Sequence, residues 1–299
     1  MIDTLVDAAR SPELLAGLAP GAAALLLGVF LGAAAWAGGR RVVVPAGILA
    51  ACAALVGLRQ IMTVPPGLVV GLGLLAAAGG TARALGLSPA VAVGALVPGA
   101  LVVAYRAELE PIAWMQALVV GGVVGGAALT GAFDQRWRQS GAPPVMLAVT
   151  AVGVWATVPE VSHALVLVGA TLPLAALGRP FPLAGLGAGG SAAVVGLVAW
   201  TAATGGWYRG SAVVGAVSSL GLFVVEPVAR WRWAPAGSPR RGWRECMVLV
   251  AAHGAVVVAM SRVAGLQRSL TAAVIVAVAT AGVALAGARR LDVLARQGG

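Results

Sequence analysis

Residues 14–39 read LLAGLAPGAAALLLGVFLGAAAWAGG, and no charged side chain lies between Glu13 and Arg40. A helix of about 20 apolar residues crosses the hydrocarbon of a bilayer, with a range of about 17–25. The run therefore predicts a membrane-spanning helix, and the rest of the chain repeats its pattern. With Arg, Asp, Glu and Pro as punctuation, eleven spans are expected at roughly 14–39, 42–58, 61–80, 84–105, 111–133, 143–159, 161–178, 181–206, 210–229, 246–261 and 269–288.

Composition points the same way. Of 299 residues, 60% are hydrophobic and only 10% charged, and the mean hydropathy is +0.96. Soluble domains carry about 25% charged residues, so this chain lacks the charge to build a water-facing surface. Gly (43 residues) and the abundant Ala suit helices whose backbones approach closely. The fold class expected is all-α: a polytopic integral membrane protein of about eleven transmembrane helices, with residues 1–299 forming a single membrane domain.

Orientation follows from Arg, which supplies all 20 basic residues. With the N-terminus outside, fourteen Arg fall in inner segments and six in outer ones. Basic residues stay on the cytoplasmic side, so a bacterial-type cell (inner) membrane is expected, with the N-terminus outside and the C-terminus cytoplasmic. The net charge of +10 is read as topology rather than as a sign of nucleic-acid binding. Trp114, Trp155 and Trp207 fall at outer span ends, and Trp137, Trp231, Trp233 and Trp243 in inner loops, as interfacial rings should. MIDTLVDAARSPELL at the N-terminus has no basic leader and does not read as a cleaved signal peptide.

A shift of 94 residues sets Thr63-Val64-Pro65 on Thr157-Val158-Pro159, and Arg136-Trp137-Arg138 on Arg230-Trp231-Arg232. The chain then reads as a parallel four-helix repeat: unit one over 42–138 (spans 2–5), unit two over 143–232 (spans 6–9), and spans 10–11 over 246–288. Four spans per unit give both copies one orientation, with an axis near the membrane normal.

Candidate sites fall in four places. An outer cluster of Arg59, Arg106, Glu108, Glu110, Glu160, His163 and Arg209 could do acid–base work, with Glu108, Glu110, Glu160 and His163 as the catalytic candidates. Ordinary loop charge explains the same residues, and Pro159-Glu160 also reads as a helix start. His253 lies near the middle of span 10, and Gln116 in span 5; ionisable groups at membrane depth are functional candidates. No Asp, Glu or Arg is expected near the centre of any span.

Helix breaks mark a third place. Span 4 carries Pro98-Gly99, span 7 carries Pro173, and span 8 carries GLGAGGS over 185–191, with Gly187, Gly189, Gly190 and Ser191 as binding candidates. Breaks at matching places in two repeats point to a transporter's site; close helix packing is the competing explanation. Last, the inner stretch Arg230–Arg244 interleaves Arg and Trp and suits anionic lipid headgroups or a partner subunit.

Cys52 and Cys246 form no CxxC or Cys/His cluster, so neither a metal site nor a disulfide framework is expected. No P-loop, kinase or protease motif is present, no cofactor is expected, and catalysis is not the leading expectation. The leading function is moving or flipping a small or lipid-linked molecule. A cell-envelope enzyme using the outer Glu/His/Arg cluster, or a non-catalytic subunit of a larger complex, are the alternatives.

Overall fold

The computed structural model describes residues 6, 9–39, 44–105, 113–137, 142–158, 161–178, 184–204, 250–251, 253–255 and 282. Within them the chain is almost wholly helical. The helices are α1 (Pro12–Ala37), α2 (Ala46–Ile61), α3 (Pro66–Ala84), α4 (Pro89–Tyr105), α5 (Ala113–Trp137), α6 (Ala142–Thr157), α7 (Ala164–Thr171) and α8 (Ala188–Ala203), with a 3-10 turn over Pro173–Gly178. Two short strands, β1 (Val44–Pro45) and β2 (Ala184–Gly185), pair in parallel.

Local chemistry sets several of these boundaries. Ser11 caps α1 by accepting from the Leu14 N–H at 3.2 Å, Pro12 starts the first turn, and Glu13 supplies an acid there. Pro66 starts α3 in the same way. At the other end of α3, Gly86 takes φ +61°. That left-handed residue lets the Gly86 N–H reach the Arg83 carbonyl and the Leu87 N–H reach the Ala82 carbonyl, closing a Schellman motif. Pro173 cannot donate to the ladder, and the helical span breaks into α7 and the 3-10 turn at that point.

The expected spans 1–8 each coincide with a helix, shifted by a few residues. Span 2 starts at Ala46 rather than 42, because Val44 and Pro45 are extended against Ala184 and Gly185. Span 8 starts at Ala188 rather than 181, so GLGAGGS leads into a helix instead of interrupting one. Among the described residues, α1 and α3 are long and apolar enough to cross a membrane unaided, and the other helices are apolar but shorter. Span 9, most of span 10 and all of span 11 but residue 282 lie outside the described residues, and with them the last span expected for unit two. The strand pair joins α2 to α8, which are not equivalents under the 94-residue shift.

Helix α8 is the axis of the bundle. It touches α2, α3, α4, α5, α6 and α7, and Gly189–Val198 are buried without interruption. The close contacts run through glycine. A Cβ on Gly47 would stand 2.6 Å from the Leu186 carbonyl oxygen and 2.8 Å from Gly190 Cα. A Cβ on Gly79 would stand 2.7 Å from the Ala188 carbonyl oxygen. Backbones can meet this closely only where side chains are absent.

Helix α1 uses the same device against α7. Its buried stripe is Gly17, Gly21, Ala24, Gly28 and Gly32, while Leu26 and Phe30 on its opposite face are 70% and 68% exposed. The small residues of α1 thus face into the bundle, with Leu14, Leu25 and Val29 packed beside them, and Leu26 and Phe30 point away.

Candidate functional site

One end of the bundle gathers the start of α1, the α2–α3 turn, the α6–α7 connection and the end of α8. Gly57 of α2 lies beside Ala16 of α1 and Val166 of α7, which sets Glu13, Arg59 and His163 at a common level. Ser162 donates to the Glu13 carboxylate at 2.9 Å. His163 Nε2 lies 3.0 Å from Thr204 Oγ1, and the Thr204 hydroxyl gives its proton to the Thr201 carbonyl at 2.8 Å. Thr204 can then only accept, so His163 carries its proton on Nε2. The ring also sits 5.9 Å from the indole of Trp200, tilted by 57°. His163 precedes the first residue of α7, in the connection from α6. Burial lowers its pKa from 6.5, with the Glu13 carboxylate pulling the other way.

Of the expected outer cluster, the structure therefore brings His163 together with Glu13, Ser162 and Thr204. Arg59 is exposed on α2. Arg106, Glu108, Glu110, Glu160 and Arg209 lie outside the described residues. Glu13, read from sequence as part of the N-terminal segment, is the partner that sequence reasoning missed. Its signal was its place in the first turn of a helix that ends up beside Ser162.

Arg59 lines a groove of about 1020 Å³ between the outer faces of α2 and α3. Leu55, Val56, Val69 and Val70 form apolar walls, and Arg59, Gln60 and Thr63 supply the polar groups. Cys52, an exposed free thiol, is the lining residue nearest the start of α2. From Cys52 to Gln60 the helix rises about 12 Å, so the groove occupies the half of α2 next to the turn.

The expected break residues fall in close helix contacts and at the entry to α8, which lies at the opposite end of the bundle. Gly187 has φ +71°, which turns the chain from β2 into α8. Gly190 meets the backbone of Gly47 and Ile48, and Gly189 meets Ala76 and Gly80 of α3. Ser191 is fully buried. In α4, Pro98 is exposed, while Gly99 packs on Leu75 and Gly71 of α3. His253 is buried, and its neighbour Gly254 packs on Val149 of α6.

Asp134 holds this end together. Its carboxylate is buried and accepts from the Leu186 N–H at 2.6 Å and the Gly187 N–H at 3.1 Å. In the sequence it follows an apolar run and reads as an inner-loop charge. Two tryptophans also differ from expectation or extend it: Trp155, expected in an interfacial belt, is 8% exposed and lies in the core, as does Trp200. Arg230–Arg244 and Cys246 lie outside the described residues. Among the described residues, no group of three or more His, Cys, Asp or Glu is placed to hold a metal. No protein-family model matches the chain, and no curated protein matches it.

Proposed function

We propose that the chain is a polytopic protein of a bacterial-type cell membrane, with the Glu13 end outside, that moves or flips a lipid-linked molecule engaged at the α2–α3 groove. The observation that carries this reading is the groove itself. Its lining is mostly apolar, with Val56, Val69 and Val70 exposed, and Arg59, Gln60 and Thr63 add polar groups beside the α2–α3 turn. A lipid-linked molecule has the matching form, an apolar chain joined to a polar and often anionic head. The outward-facing Leu26, Phe30, Val56, Val70 and Leu101 support lipid as the surrounding solvent.

The central interface between the repeat units is a poorer path. Gly47, Gly79, Gly189 and Gly190 bring α2, α3 and α8 into backbone contact there. That closed interior favours, as a second reading, a non-catalytic membrane subunit whose flank only binds lipid.

Reconstitution separates the two. Protein in vesicles containing a headgroup-labelled phospholipid should move the label between leaflets faster than empty vesicles do. In a Cys246→Ser background, a bulky maleimide on Cys52 should slow that movement severalfold, and so should Arg59→Ala. Movement untouched by either change would rule out the groove. Movement no faster than in empty vesicles would rule out translocation of this probe and leave the subunit reading.

A further inference from the structure

The contact between α5 and α8 contains two buried hydroxyls that the groove reading does not use. Two contacts fix the register of this helix pair. A Cβ on Gly126 would meet Val195 Cγ1 at 2.8 Å, and Asp134 binds the N–H groups of Leu186 and Gly187. Eight residues forward on α5 thus correspond to eight residues back on the segment entering α8. The two elements run antiparallel, and Thr130 stands opposite Ser191, midway between the two contacts.

Both side chains are 0% exposed, and neither Thr130 Oγ1 nor Ser191 Oγ has a hydrogen-bond partner. Buried helical threonines elsewhere in the chain behave differently. Thr150, Thr171 and Thr201 each donate to the carbonyl four residues back, at 2.9, 2.7 and 2.8 Å. Thr130 does not take that local bond. Buried hydroxyls are otherwise nearly always satisfied by protein or by ordered water.

We propose that Thr130 and Ser191 hold a single buried water molecule at the start of α8. The surrounding charges select a neutral guest. The first turn of α8 carries the positive end of the helix dipole, which disfavours a cation. The Asp134 carboxylate already occupies that end, which disfavours a second anion. Water can accept from one hydroxyl, donate to the other and still offer a proton to the carboxylate. Buried waters typically make about three such bonds.

A double-mutant cycle on the full chain in detergent tests this. Thr130→Val keeps the shape and removes the hydroxyl, and Ser191→Ala removes the other. Each should lower the melting temperature, and the double variant should melt no lower than the worse single one, because one shared water is lost once. A single variant that melts at or above the wild-type temperature would show idle hydroxyls and overturn the proposal. Additive losses would also overturn it, since they mean two separate partners. Should a variant fail to fold, a density map of the wild-type protein sharp enough to resolve ordered water decides: density between the two Oγ atoms supports the site, and its absence sinks it.

Discussion

At His163, burial and a carboxylate act in opposite directions, and burial wins. The folded protein therefore protonates this ring at a lower pH than the unfolded chain, whose value is 6.5. Above 6.5 both states hold it neutral and it makes no difference. As pH falls below 6.5 the unfolded chain takes the proton first, so stability drops, and the drop continues until pH passes the folded value. Melting curves in detergent should show a protein less stable at pH 5.5 than at 7.5. His163→Gln, which can still donate to Thr204, should narrow that gap; an unchanged gap would mean that His163 is not its source. The sequence placed His163 in the outer cluster but could not name its partners. Glu13 and Thr204 stand about 150 and 41 residues away in the chain, and only folding brings them near.

Among the elements, the entry to α8 depends on α5. The chain leaves β2, turns at Gly187 and starts a buried helix, and the N–H groups of Leu186 and Gly187 point to a side chain on another element. Asp134 supplies both acceptors from the last turn of α5. Removing it strands the buried Leu186 N–H and the half-buried Gly187 N–H. A buried donor left unsatisfied costs roughly 1–3 kcal/mol, so Asp134→Ala should lower stability by about that much, with Asp134→Asn in between because its amide keeps one acceptor oxygen. Chemical denaturation in mixed micelles measures both, and an Ala variant as stable as the wild type would refute the clamp. The helices themselves were legible, because their hydrogen bonds are local and their apolar runs are long. Their ends were less so. Arg59 and Asp134 mark where the apolar zone stops, yet α2 runs on to Ile61 and α5 to Trp137. A helix does not need to end where polarity begins, since a long side chain can carry its charge outward. The strand pair was invisible in the sequence for a further reason: Val44-Pro45 and Ala184-Gly185 are short and distant, with no alternation to reveal them.

For the whole molecule, the sidedness proposed from Arg makes a direct claim. In a Cys52→Ser, Cys246→Ser background, Thr63→Cys lies in the α2–α3 turn and Leu85→Cys just beyond α3, and both native residues are exposed. An impermeant thiol reagent should label Thr63→Cys in intact cells and reach Leu85→Cys only after permeabilisation. The reverse pattern would invert the orientation, and equal labelling in intact cells would break the alternation of spans. The parallel strand pair also sets a timetable for synthesis. Val44 waits for Ala184, 140 residues later, and chains grow at about 5–20 residues per second. For roughly 7–28 s the start of α2 is made but unpaired, and the helix that fills the centre of the bundle arrives after the helices around it. A nascent chain arrested before residue 184 should accordingly expose its glycine seams to proteases or chaperones, whereas one arrested once α8 has entered the bundle should resist both.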